Sequence, residues 1–300
     1  MRRRTFLSSL AATAALPSIA SGRDPIERSG PPRFQIGLAA YSLRQYFHFS
    51  RGKPQKPKDE NRAIDMFGFL DFCVAEGFQA SELTSYFFPP EIESSYLLSL
   101  KQAAYLSGLT ISGTAIGNNF TLGSGPRLDA EIESAMRWID HAATLGAPHI
   151  RFFAGTRRDL EKSPDRFDEA IAALARCANH AAARGVFLGV ENHGDLTSQQ
   201  MLEIMRRVES PWVGINLDTG NFHSDDPYAD LAACAPFAVN VQVKVKMKSP
   251  EGKISTADLP RIGKILKDSG YQGFVILEYE EDDPFDAIPR AHDALREALA

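Results

Sequence analysis

Cysteine is scarce in this 300-residue chain: Cys73, Cys177 and Cys234 lie far apart, and none belongs to a CxxC pair. That excludes a disulfide framework and argues against a thiolate zinc site. Positive charge is not in excess either. Thirty-three basic against 38 acidic residues give a net charge of −5, and with it no general affinity for DNA or an anionic membrane. Beyond the amino terminus no apolar run is long enough to span a bilayer. A glycine-rich phosphate loop is missing too, for the first candidate strand is followed by AAYSLRQYFHF. What is present is 44% hydrophobic and 24% charged, the composition of an ordinary folded domain with a sizeable core.

The amino terminus stands apart. Arg2, Arg3 and Arg4 precede Thr5, Phe6 and Leu7, and a weakly apolar run follows from Leu10 to Ala20, with small residues at Ser18 and Ala20. A basic head, a short apolar stretch and a small-residue exit predict an export signal over residues 1–20. Arg3-Arg4-x-Phe-Leu resembles the twin-arginine type, whose cargo crosses the membrane folded, so a periplasmic location is expected. A basic, unstructured start is the plain alternative. Residues 21–32, SGRDPIERSGPP, read as a linker, and residues 33–300 as one domain.

From Phe34 onward β-like runs alternate with amphipathic helical stretches at intervals of about 30 residues. Candidate strands are 35–42, 80–86, 110–116, 149–154, 186–192, 213–218, 239–247 and 273–279. The helical stretches between them are 61–76, 91–106, 129–145, 164–184, 197–208, 227–234, 256–268 and 284–299. Ser163-Pro164, Asp226-Pro227 and Asp283-Pro284 are helix starts, and Gly77, Gly146 and Gly270 are helix stops. Successive βα units demand a parallel sheet, and eight of them close into a barrel. An open doubly wound sheet would be expected to carry the phosphate loop that is missing here. The predicted fold is a single-domain (β/α)8 TIM barrel, with its chemistry at the carboxyl ends of the strands.

Those ends are acidic. Strand five runs apolar into Glu191-Asn192-His193, which puts Glu191 and His193 on one face. Strand six ends at Asp218 and strand eight at Glu278. Three carboxylates converging on one mouth are costly to hold without a cation, and hard oxygen ligands suit Mg²⁺ or Mn²⁺. Strand seven alternates strictly, Val239 to Met247 against Asn240 to Lys248, so its apolar face meets the helices while Gln242 and Lys244 reach the mouth. A solvated lysine-bearing edge is the competing reading of that strand. Glu82 has inward parity at the end of strand two and reads equally as a sugar-hydroxyl partner or a rim carboxylate. Arg151 in strand four is placed to bind an anionic group or to pair with Glu191 or Glu82. His149, His180 and His223 read as structural or solvated, and Glu280 as lying beyond the metal's ligands. Tyr46-Phe47-His48-Phe49 opens a long loop that reads as a loose polar surface segment, its aromatics available to a sugar face.

From Phe34 to the end the chain resembles the xylose isomerase-like barrels, the sugar phosphate isomerase/epimerase group. The resemblance rests on LGAPHIRFF, ARGVFLGVENHG, VGINLDTGNF, VQVKVK and VILEYE, in that order and spacing. It implies a divalent metal held by Glu191, Asp218 and Glu278, with Gln242 standing where the family commonly has the histidine of His-x-Lys. That substitution favours Mg²⁺ or Mn²⁺ over Zn²⁺. Asn221 likewise stands where related epimerases often carry a substrate-binding histidine. The implied chemistry is isomerisation or epimerisation of a sugar, keto-sugar or sugar phosphate through a metal-stabilised enediolate. Glu191 and Glu278 would exchange the proton, and Lys244 and His193 would donate to substrate oxygens. A lyase or hydrolase on a modified glycoside uses the same groups, and a non-catalytic sugar-binding barrel is the alternative from outside the enzymes. A related three-zinc endonuclease would need more histidines than the seven here, and a basic face. The expected partner is a small carbohydrate, with no nucleic acid and no membrane in the mature form; self-association is left open.

Overall fold

The computed structural model describes residues 24–300; the stretch expected to be an export signal and the first part of the expected linker lie outside the described residues. Eight parallel strands close into a barrel: β1 (Arg33–Ala39), β2 (Ala80–Thr84), β3 (Thr110–Ala115), β4 (His149–Phe153), β5 (Phe187–Glu191), β6 (Val213–Asp218), β7 (Ala238–Val243) and β8 (Gln272–Leu277). Closure is made at β1, where Gly37 pairs with Ala80 on one side and Ile276 on the other. Eight helices return the chain: α1 (Met66–Ala75), α2 (Ser94–Leu106), α3 (Pro126–Leu145), α4 (Pro164–Arg184), α5 (Ser198–Arg207), α6 (Pro227–Cys234), α7 (Leu259–Asp268) and α8 (Pro284–Leu299). The sequence's fold expectation holds. Among the described residues no helix is long and apolar enough to cross a membrane.

The helix ends follow their side-chain chemistry. Thr197 and Gln200 form a reciprocal capping box at α5, and the carboxylates of Asp226 and Asp258 accept from the first turns of α6 and α7. Two helices start later than their periodicity suggests. Asp65 caps α1, so residues 61–64 precede it. Thr256 belongs to a small hairpin of Lys246–Lys248 with Ile254–Thr256, ahead of α7.

The core is a shell. Ile150, Phe152, Leu188, Val190, Ile215, Leu217, Val241, Val243, Val275 and Leu277 point out of the barrel and are buried under the helices. At about 25 cal/mol per Å² of apolar surface, this shell is the main source of stability. Inside the barrel the opposite parity carries the polar side chains, with Ile276 among them. Gln242 Nε2 on β7 donates to Glu82 Oε1 on β2 at 3.3 Å, a bond between strands that are not neighbours, so both side chains lie in the interior. His149 fills the lower interior, where a Cβ on Gly113 or Gly189 would stand 2.8 and 2.2 Å from its ring nitrogens. Only glycine leaves room for that imidazole.

Two expectations need correction. Strand seven ends at Val243 rather than Met247: the Lys244 amide donates to Thr219 Oγ1 at 3.0 Å, leaving the ladder, and the alternation resumes in the hairpin. The Tyr46–Phe49 loop is not loose, because the Phe47 ring stacks on Phe87 at 4.4 Å and Tyr46 meets Phe285 edge-on at 4.8 Å. Both aromatics are buried, so the area they remove from water pins the loop and leaves neither ring for a ligand. The described end of the linker lies on the barrel, with the Ile26 amide donating to the Pro236 carbonyl at 3.0 Å.

Candidate active site

The carboxyl ends of the strands carry five acidic side chains, Glu82, Glu191, Asp218, Glu278 and Glu280, and two permanent cations, Arg151 and Lys244. Glu82, Glu191, Asp218, Glu278 and Arg151 are all less than 9% exposed. Such groups are held only by mutual pairing, so the partners decide each one's proton state.

Arg151, on β4, stands 3.0 Å from Glu191 Oε2, its Nη1 donating to the Ile116 carbonyl and its guanidinium lying 4.2 Å over the Phe153 ring. Glu191 Oε1 accepts from Asn221 Nδ2 at 3.1 Å and lies 3.2 Å from His193 Nδ1. Burial alone would raise the Glu191 carboxyl; Arg151 foremost, then His193 and Lys244, outweigh it and hold the group below its ordinary range. His193 is half-exposed and stacks on Phe153 with ring centres 4.3 Å apart, where a ligand entering the mouth would meet it.

Lys244 is the centre of the other half. Its Nζ donates to Asn221 Oδ1 at 3.2 Å and lies 3.3 Å from Glu280 Oε1, 3.4 Å from Asp218 Oδ2 and 3.9 Å from Glu278 Oε1. Its stem crosses Gly220, where a Cβ would come within 2.7 Å of Lys244 Cδ. One ammonium does not neutralise three carboxyls. Burial, with Asp218, Glu191 and Glu280 adding to it, pushes Glu278 well above its usual value against the pull of Lys244. Asp218 is pushed up to about 6 by burial and Glu191, with Lys244 opposing. Burial also presses on Glu280, but Lys244 and a hydrogen bond shared with Glu278 hold it low. Glu82, on the far wall, is raised by burial to about 7.

Gln242 belongs to a directional chain of amides. Asn240 Nδ2 donates to Asn216 Oδ1 at 2.7 Å, Asn216 Nδ2 to Gln242 Oε1 at 2.6 Å, and Gln242 Nε2 to Glu278 Oε2 at 2.7 Å. Each amide's direction fixes the next, so the Gln242 oxygen faces Asn216 and its NH₂ faces the carboxyls. Asn192 clamps the ends of β5 and β6 by pairing with both backbone groups of Asp218, at 2.8 and 2.9 Å.

The proposed metal set therefore does not fit an ion in this arrangement. Gln242 presents donors rather than an oxygen, Glu191 is taken by Arg151 and its amide partners, and an ammonium stands among the oxygens of Asp218, Glu278 and Glu280. Among the described residues no group of three His, Cys, Asp or Glu side chains is spaced to hold a metal.

The structure thus gathers all of the sequence's candidates at the mouth: Glu191, Asp218, Gln242, Glu278, His193, Lys244, Asn221, Glu82 and Arg151. It adds Asn216 and Asn240, which sequence reasoning missed although their parity with Asp218 and Gln242 was available. It also adds Glu280, which contacts Lys244 directly. A cavity of about 180 Å³ opens here along Gly220, Asn221, Lys244, Glu278 and Glu280. It borders a larger polar cleft of about 850 Å³ that includes Arg158, Thr197, His223 and Ser249. The other two histidines set aside earlier are paired at the surface, His180 with Asp140 at 2.9 Å and His223 with Asp195 at 2.8 Å.

A closed parallel barrel with buried acids and cations at its carboxyl-terminal mouth is the architecture in which TIM-barrel enzymes place their chemistry. More narrowly, the chain belongs to the xylose isomerase-like TIM barrel family, whose sequence profile matches residues 70–299. Among solved structures, D-psicose 3-epimerase from Clostridium cellulolyticum H10 superposes with a TM-score of 0.69 at 15% identity, over 88% of this chain and 99% of that one. The 3-keto-D-glucoside 4-epimerase of E. coli gives 0.64 at 17%, over 88% and 100%. The "probable 3-DHS dehydratase AsbF" of Bacillus anthracis gives 0.66 at 16%, over 87% and 98%. At such identities the likeness shows the fold alone. No curated protein matches the chain by sequence.

Proposed function

We propose that this chain is a carbohydrate isomerase or epimerase that moves a proton at a carbon next to a carbonyl. One observation carries the reading: Glu191 and Glu278, both buried and three strands apart around one mouth, face unequal partners, Glu191 the Arg151 guanidinium and Glu278 an ammonium it shares with Asp218 and Glu280, which pushes Glu191 below and Glu278 above the ordinary carboxylate range. A pair of carboxyls whose surroundings push them apart is the arrangement that general base and general acid catalysis requires. Glu191 takes the α-proton of a bound sugar, and Glu278 delivers a proton to the other face or the neighbouring atom. Asn221 and His193 bind hydroxyls beside Glu191. Arg151 positions Glu191 and keeps it charged. The polar cleft suits a polyhydroxylated substrate, and the named epimerases on the same fold support a sugar. No step in this reading runs through the divalent ion expected from the sequence.

Incubating the protein in D₂O with free, phosphorylated and 3-keto sugars, followed by NMR, tests it. Deuterium at the carbon next to the carbonyl, together with an isomer or epimer, is the expected result. An unsaturated product would place the chain among lyases, and no exchange with any sugar would leave a binding barrel. We further propose that residues 1–20 export the folded chain. Replacing Arg3 and Arg4 by lysine should hold the precursor in the cytoplasm, and normal export of that variant would remove the proposal.

A further inference from the structure

We propose that Lys244 is the resident cation of this site: its ammonium stands against Asp218 and Glu278, two of the four residues expected to hold a divalent ion, and it polarises the substrate carbonyl from there. The inference rests on the proton-transfer reading above and supplies its electrophile. Nζ lies between 3.2 and 3.9 Å from oxygens of Asn221, Glu280, Asp218 and Glu278, borne on the ends of two strands, β6 and β8, and the loops that follow them. An ion such as Mg²⁺ needs those oxygens at about 2.0–2.1 Å, which is incompatible with an ammonium among them.

Two independent features show that the position is built for the lysine. Gly220 lacks the side chain that would collide with the lysine stem, and the Lys244 amide is anchored on Thr219 Oγ1. A third removes the alternative ligand, since the Gln242 oxygen is committed to Asn216 by the amide chain. Asp218 Oδ2, buried and without a hydrogen bond, is the oxygen nearest the ammonium after those of Asn221 and Glu280. In the reaction Nζ–H donates to the carbonyl oxygen. As Glu191 accepts the α-proton, the C–H electron pair moves into the C–C bond and the carbonyl pair onto the oxygen facing Lys244. Proton return reverses both movements, so no oxidant, reductant or metal enters the balance.

The probe is Mn²⁺ alone, titrated into the purified protein while the free ion is read by electron paramagnetic resonance. The wild-type chain should leave millimolar Mn²⁺ free and show the same thermal midpoint with EDTA as with excess Mn²⁺. Lys244→Met removes the ammonium and keeps most of the stem. It leaves the carboxyls uncompensated and should bind Mn²⁺ at least ~10-fold more tightly than wild type, a difference of about 1.4 kcal/mol. If Lys244→Met does not fold, Lys244→Gln serves in the same titration. One ion bound at micromolar affinity by wild type overturns the inference, and so does the absence of any gain in the folded variant. The titration needs no sugar, so an inert sugar panel sinks the enzymatic reading without touching this result. Tight Mn²⁺ binding by wild type sinks the lysine assignment and leaves deuterium exchange to judge Glu191 and Glu278.

Discussion

The two halves of the mouth contain the same kind of acid and treat it differently. On the β4–β5 side one buried glutamate, Glu191, meets one guanidinium and stays charged. On the β6–β8 side three carboxyls share one ammonium, and burial with the surplus negative charge pushes Glu278 well above the usual carboxylate range. Burial does not separate Glu191 from Glu278, because both are almost fully enclosed. The number of cations per acid does. One arginine on β4 and one lysine just past β7 thus give identical side chains two different surroundings.

The largest effect should come from changing the two glutamates in parallel. Glu191→Gln and Glu278→Gln should each slow α-proton exchange about 10²–10⁴-fold, measured as deuterium incorporation by NMR. Their stabilities should then diverge. Gln at 278 replaces a carboxyl whose burial favours the neutral form and should shift the urea midpoint little. Gln at 191 strands a buried guanidinium and should cost about 3–5 kcal/mol. Equal stability losses would break the comparison. Approaching the same pair from the other side, Arg151→Met should cost about 3–5 kcal/mol and raise the Glu191 carboxyl, visible by NMR titration of labelled glutamate. Gln242→Leu should cost less, about 1–3 kcal/mol for the donors and acceptors left unpaired on Asn216 and Glu278, read by denaturant unfolding.

The last effect concerns pH. Burial pushes His149 down to about 3 from an ordinary 6.5. The folded state thus binds this proton less readily than the unfolded chain. The stability of keeping the ring neutral is complete above pH 6.5 and is lost as pH falls toward 3, at up to ~1.4 kcal/mol per pH unit. Glu82, raised to about 7, acts in the opposite sense: it favours the folded state at low pH and loses that contribution as pH rises from 4.5 to 7. The contrast between wild type and His149→Leu isolates the imidazole, and the variant should lose less stability on acidification from pH 6.5. An identical acid limb in both proteins would remove His149 from the account.

The barrel was legible in the sequence because its outer shell obeys a strict period: Leu188, Val190, Ile215, Leu217, Val241 and Val243 mark their strands unaided. Glu191, Asp218 and Glu278 were legible because each terminates such a run. Alternation misled at Val245 and Met247, where the same period continues into a hairpin and nothing in the pattern marks the end of the ladder. The amide chain escaped because Asn216 was read as part of an apolar strand rather than by its parity with Asp218. What Lys244 and Gln242 face was not readable from strand position alone. It depends on Gly220 leaving room for a stem and on Asn216 turning an amide, both of which are contacts between strands.

The imidazole enclosed by Gly113 and Gly189 also bears on how such a barrel changes over generations. Two missing side chains and one ring occupy a single volume, so positions 113, 149 and 189 are sterically coupled. A lineage that gains a methyl at either glycine must first shrink residue 149, and even without the ring the His149 carbonyl and the Asn216 Cβ, each 3.1 Å from the added carbon, keep the two positions tight. The order of substitutions is constrained at the bottom of the barrel, far from any selection on the reaction at its mouth.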